Sequence, residues 1–338
     1  MPELALLVLV IAAAIGFGVV NGFNDAANSV AASIGSRAIS PRNAIILAAF
    51  SNFTGAATGT AVAITIGKGI ISSETWLSLP PIDAYLILIA AEATVIVWGT
   101  IATRLGLPVS ISHSLVTGLA AAGATVVGWE AVIWGVLGRI GASVAIAPAL
   151  GFIGGFALMV VLLWVFRRSA PSRMRVAFSR LQWLTTAFLA YSHGKNDGQM
   201  PIALITTALM IHTQQVGLWD NIPWWVIIVS ASAISSGIAI GGWRVIRTVG
   251  VKITALQPVH GFATQASAAT VIEVASRLGI PVSTTHCATA ATMGAGATKR
   301  LSAVRWGVTR NIVLAWVLTF PISGALGWAI ASLLKIAF

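Results

Sequence analysis

The chain has 338 residues, of which 57% are hydrophobic and only 9% charged. A soluble domain carries about 25% charged residues, so a soluble globular protein is excluded and an integral membrane protein is implied. The single cysteine, Cys287, excludes an intrachain disulfide framework and a cysteine-based metal cluster. The net charge of +11 sits mostly in short loops, a placement that sets membrane topology and contacts anionic lipid; nucleic acid is not an expected partner.

In chain order, apolar stretches approaching the roughly 20 residues of a membrane span cover 4–20 and on to 34, then 43–66, 82–103, 109–128 and 131–166. The stretch 4–20 reads as a first membrane helix and not as a cleaved signal, because apolar segments continue beyond it. A strongly basic run from Arg167 to Arg180 follows. The second half gives 183–210, 222–241, 253–274, 282–297 and 306–336. No stretch reads as a P-loop or soluble nucleotide-binding module, which argues against ATP-driven transport.

The two halves repeat. Asn21-Gly22-Phe23-Asn24-Asp25 returns as His193-Gly194-Lys195-Asn196-Asp197. The run from Arg104 through Pro108, Val109 and Ser110 to His113 returns from Arg277 through Pro281, Val282 and Ser283 to His286. Pro148, Gly151 and Gly154 return as Pro321, Gly324 and Gly327. Residues 1–166 are therefore read as a first transmembrane repeat, 167–181 as a basic cytoplasmic linker and 182–338 as a second repeat. Loop charge alternates between equivalent positions. Arg37 and Arg42 face an uncharged-to-acidic counterpart at 213–220, while Arg244, Arg247 and Lys252 answer the near-neutral loop 67–83. Alternation of this kind marks opposite orientation with an odd number of crossings per half. The expected fold is an all-α polytopic membrane protein of two inverted-topology repeats, with 10–12 transmembrane segments and broken helices.

An amide and a carboxylate deep in two equivalent spans are expensive in hydrocarbon and are read as a functional site. The glycine two residues before each Asn is expected to let the helix unwind, exposing backbone groups to a cavity. The oxygens of Asp25 and Asp197 suit a hard cation such as sodium, or carry a proton. Each Pro-Val-Ser reads as a helix start whose hydroxyls bond free N–H groups. Such an N-terminus is a natural anion site, and two facing each other would grip a tetrahedral oxyanion. Glu92 lies in mid-span, opposite Gln265 in the repeat register, as a further coupling candidate. Glu273, four residues before Arg277, reads as a helical ion pair. His113 and His286 are equivalent and stand next to the anion-binding hydroxyls, and His193 adjoins the second Asn-Asp pair. Trp76, Trp129, Trp219, Trp224 and Trp225 fit an interfacial aromatic belt.

These motifs resemble those of the inorganic phosphate transporter (PiT) family, in which Gly-x-Asn-Asp and Pro-Val-Ser-x-x-His occur once in each half. The resemblance covers essentially the whole chain. It implies a secondary transporter importing inorganic phosphate by symport with sodium or a proton, without a cofactor, as a homodimer in a prokaryotic plasma membrane. By motif, Asn24, Asn196, Ser110, Ser112, Ser283, Thr284 and Thr285 become phosphate-site candidates. Asp25, Asn28, Asp197, Gln199 and Glu92 become cation-coupling candidates, with Asp25 and Asp197 the sodium ligands if sodium is the ion. The second motif departs from the pattern at Met200, where a polar residue is expected, and carries Lys195. Sulfate is the alternative anion. A channel fits less well, because its filter needs rings of carbonyls or charges. A membrane hydrolase lacks the His-Glu-x-x-His spacing.

Overall fold

The computed structural model describes residues 2–338, and among these the chain is helical with no sheet beyond one isolated bridge, Ile71 to Val132. The first half contains α1 (Pro2–Gly35), α2 (Pro41–Ala56), α3 (Ala61–Gly69), α4 (Ser73–Ser78), α5 (Pro81–Leu105), α6 (Ile111–Val126) and α7 (Trp134–Val165). The second contains α8 (Pro171–Asp197), α9 (Gln199–Thr213), α10 (Trp224–Ile240), α11 (Trp243–Arg247), α12 (Pro258–Arg277), α13 (Thr284–Ala297) and α14 (Trp306–Ala337). A π-helical turn at Thr248–Lys252 continues α11.

Elements recur between the halves. Helices α2 and α3 form a pair bent by 65°, and α10 with α11 and its π turn form a pair bent by 61°. Helices α5 and α12 both end at a glycine turn, Gly106 (φ 72°) and Gly279 (φ 67°), in the left-handed region where a side chain is strained. After each turn comes the Pro-Val-Ser segment and a short helix. At 16 and 14 residues, α6 and α13 are about 24 Å long or less, short of the roughly 30 Å hydrocarbon core. Each half then closes with a 32-residue helix containing one proline, Pro148 in α7 and Pro321 in α14. Each of these two is one continuous helix. Four helices are long and apolar enough to cross a membrane singly, or up to six spans if each bent pair counts as one.

The halves interlock. Helix α7 packs on α13, and α14 packs on α6. Helix α1 crosses α10 where Gly22 meets Gly237, and α8 crosses α2 where Gly194 lies against Asn52 and Gly55 against Tyr191. A Cβ on Gly22 would lie 2.0 Å from the Ile234 carbonyl oxygen, and one on Gly194 would lie 2.1 Å from that of Asn52. These contacts correct the expected unwinding. Helix α1 runs unbroken through Asn24 and Asp25, and Gly22 serves close backbone approach, a standard device for packing helices in lipid. In the second copy the helix ends only at Asp197, and Gly198 joins α8 to α9 with right-handed helical dihedrals.

Residues 171–181 of the basic run form the first turns of α8. One further expectation is corrected. Trp76 and Trp219 are buried, while Trp129 and Trp224 are exposed as a belt requires. Trp219 fills the space over Gly67 and donates its indole N–H to Met210 Sδ at 3.3 Å.

Candidate functional site

Ser110 and Ser283 are the N-caps of α6 and α13. Each hydroxyl accepts from the backbone N–H three residues on, that of His113 at 3.3 Å and of His286 at 3.1 Å. The prolines lie two residues before these caps instead of inside the first turn. Ser112 Oγ stands 3.2 Å from Ser110 Oγ. Beyond the caps the two short helices meet, with the His113 and His286 rings 5.1 Å apart between centroids. Both rings are buried, Phe320 stacks on His113 and Trp316 on His286, and none of the four ring nitrogens has a protein partner.

The first turn of α13 points its hydroxyls at the two carboxylates. Thr285 donates to Asp25 Oδ1 at 2.8 Å, and Thr284 donates to Asp197 Oδ2 at 3.0 Å. Asn28, one turn after Asp25, donates its amide to Thr285 at 2.9 Å and Thr284 at 3.3 Å. Asn196 donates to Asp197 Oδ1 at 2.6 Å and to the Val282 carbonyl at 2.9 Å. Its own amide oxygen accepts from Ser276 at 3.4 Å. All these side chains are buried. Sequence positions 25, 197 and 284–285 thus converge from three helices.

His193 lies between the carboxylates. Its Nε2 is 3.5 Å from Asp25 Oδ2 and 3.3 Å from Asp197 Oδ2. Asn52 of α2 holds the other side of the ring, Nδ2 to Nδ1 at 2.6 Å. The same amide nitrogen also donates to the Ala190 carbonyl at 3.4 Å, which only accepts, so the amide is oriented as a donor. The ring proton then sits on Nε2, facing the acids. Ligand atoms of Asp25, His193 and Asp197 lie within 4.8 Å of one another. Asp25 Oδ2 and Asn28 Oδ1 are buried oxygens without a hydrogen-bond donor, the type of atom a small cation ligates. Asn52 was not singled out from the sequence, although an amide inside the stretch 43–66 is the same signal that marks Asp25. Replacing Asn52 with Leu leaves the His193 ring unheld. The expected result is uptake reduced by about tenfold, the scale on which losing the partner that orients a site side chain lowers activity, with the folded yield retained.

Three candidates stand elsewhere. Asn24 donates to Thr103 at 2.6 Å and leaves its oxygen unpartnered. Gln199, expected on the cation side, is instead a cap: its oxygen accepts from the N–H groups of Val62 and Ala63 at 2.7 and 3.0 Å, satisfying the start of α3. Glu92 is buried with both oxygens unpartnered and makes no bond to the carboxylate cluster.

Interlocked repeats, short helices starting inside the bundle and a buried polar cluster between them define a membrane transporter. The chain matches the model of the phosphate transporter family over residues 21–327, and it belongs to that family. It is 38% identical to a probable low-affinity inorganic phosphate transporter of Rhizobium meliloti, over 94% of this chain and 92% of that one. It is 36% identical to one of Bacillus subtilis, over 96% of each. Among solved structures it superposes on a protein described as the sodium-dependent phosphate transporter with a TM-score of 0.87. That match is 28% identical and covers 99% of this chain and 100% of the other.

Proposed function

We propose that this protein imports inorganic phosphate across a prokaryotic plasma membrane by symport with a cation. The observation that carries the reading is the convergence of Asp25 and Asp197, one from each half, on the hydroxyls at the start of α13. The helix N-terminus and the hydroxyls favour an anion. Two carboxylates beside them repel one, and a cation bound between the acids lifts that repulsion. Phosphate and cation therefore favour each other's entry, which is the coupling a symporter needs. Sodium suits the oxygens of Asp25, Asp197 and Asn28, and the sodium dependence named for the similar solved structure supports it. A proton held among His193 and the two acids is the other form of the same coupling.

The working motion is alternating access, one repeat-derived bundle moving against the other around the site. Inverted orientation of the repeats is supported by the alternating loop charge, and their duplication by the recurrence of bent pair, short helix and long helix in both halves. In this topology the 171 end of α8 is cytoplasmic and the Arg277 end of α12 faces outward. The resemblance adds a homodimer, to be checked by crosslinking in the membrane.

The test is uptake of labelled phosphate into proteoliposomes under an inward sodium gradient or an inward proton gradient, with excess sulfate as competitor. Uptake driven by one gradient and indifferent to sulfate is expected and identifies the ion. Uptake abolished by sulfate, or absent under both gradients, would overturn the assignment of phosphate.

A further inference from the structure

Lys195 is unexplained by the site, yet it sits one residue from Asn196. Its Nζ donates to Glu273 Oε1 at 2.6 Å, and Arg277 Nε donates to the same oxygen at 2.7 Å. Glu273 Oε2 has no partner. Exposure climbs outward through the cluster: Asp197 is 1% exposed, Glu273 9%, Lys195 13% and Arg277 72%. The cluster therefore reaches from beside the buried acids to the surface. It is tied to the site at both ends, since Ser276, next to Arg277, bonds Asn196.

The other half lacks this arrangement. The contact of Asn196 with Ser276 has its counterpart in Asn24 with Thr103. The repeat equivalents of Lys195 and Glu273, however, are Phe23 and Thr100. Arg104, equivalent to Arg277, is engaged only through its carbonyl, which accepts from Arg244. The site is thus flanked by an ion cluster in one half and by neutral groups at the equivalent place in the other.

The geometry points to Lys195, Glu273 and Arg277 as a lock on the outward mouth that the transported oxyanion itself opens, by replacing Glu273 on the two cations. The inference rests on the function proposed above. Two cations share one carboxylate oxygen, so the cluster carries net positive charge and attracts anions. A tetrahedral dianion has more acceptor oxygens than Glu273 and bridges an ammonium and a guanidinium more fully. A neutral solute cannot compete for either cation. Lys195 then determines anion affinity at entry, while Asp25 and Asp197 serve the cation.

Two measurements on the full chain test this. The first is initial phosphate uptake in proteoliposomes against phosphate concentration. Lys195→Gln is expected to raise KM about tenfold, the loss of one charge-assisted hydrogen bond to the anion, with a much smaller fall in kcat. Glu273→Gln is expected not to raise KM, and Lys195→Arg to restore most of the affinity. The second reports the lock without transport. In a Cys287→Ala background, which removes the only native cysteine, Ser276→Cys is labelled with a water-soluble thiol reagent. Inorganic phosphate should speed labelling when Lys195 and Glu273 are present. With Glu273→Gln, labelling should be fast without phosphate. A merely structural ion pair predicts lowered folded yield for Lys195→Gln and Glu273→Gln alike, with KM unmoved and labelling indifferent to phosphate; that result overturns the lock. Phosphate-accelerated labelling without any driven uptake would sustain the lock and overturn the symport reading.

Discussion

Asp25→Asn and Asp197→Asn are each expected to abolish gradient-driven phosphate uptake while the protein stays folded. The substitution keeps shape and an oxygen acceptor, so Thr285 can still donate to residue 25 and Thr284 to residue 197. What is lost is one of the two negative charges facing His193. Truncating one partner of a buried charge pair costs about 2–5 kcal/mol of binding, which converts to a loss of roughly thirtyfold or more in cation affinity. Without the cation, the remaining carboxylate still opposes the anion at the start of α13. Uptake by each variant, normalised to monodisperse protein recovered in detergent, checks this. Wild-type uptake by a well-folded Asp25→Asn or Asp197→Asn would remove that residue from the coupling. Thr285→Val is the informative comparison: it leaves both charges in place but strips a donor from Asp25, and a partial loss of uptake is expected from it.

Much of this site was legible because its signals are local or repeat. The caps at Ser110 and Ser283 follow from three-residue spacing, and the Glu273–Arg277 pair from four. The pairing of Asp25 with Asp197 as equivalents follows from register alone. Contacts between distant residues were not legible. Thr285 is 260 positions from Asp25, and Asn52 is 141 from His193, and no periodicity connects them. Lys195 shows the same limit: its sequence neighbours place it beside the site, but only the crossing of α8 with α12 brings it to Glu273. Gln199 misled because an amide after an Asn-Asp pair looks like a ligand, whereas the start of α3, bent away from α2, needs an acceptor for its free N–H groups. Trp76 and Trp219 misled for a related reason. Interfacial tryptophan and buried tryptophan have the same sequence signature, and only the fold decides between them, as where Trp219 fills the gap over Gly67.

The glycines of the Asn-Asp motifs carry the largest expected effect on folding. A Cβ at Gly22 would stand 2.0 Å from the Ile234 carbonyl oxygen and 2.9 Å from Gly237 Cα. Both are backbone atoms, which no rotamer change can move aside. Overpacking among side chains costs about 1–3 kcal/mol; here α1 must separate from α10 along the crossing, so the cost lies at or above the top of that range. Gly22→Ala is expected to cut the yield of monodisperse protein by at least about tenfold, since the cost exceeds the roughly 1.4 kcal/mol of one decade, and to lower the melting temperature of what remains. Gly194→Ala should behave alike, and it has a second consequence. The clash is with the Asn52 carbonyl, so α2 is displaced and Asn52 loses its hold on His193. Any folded Gly194→Ala protein should therefore also lose uptake. Gly138→Ala is the control. It lies within α7 on an exposed face with nothing within 4 Å of the new Cβ, and removing a mid-helix glycine should stabilise by roughly 0.5–1 kcal/mol. Thermal unfolding in detergent separates the two groups. If Gly22→Ala melts with the wild type, the close crossing is not a fixed feature of the bundle, and the glycines revert to the role of loosening α1 and α8 beside the carboxylates.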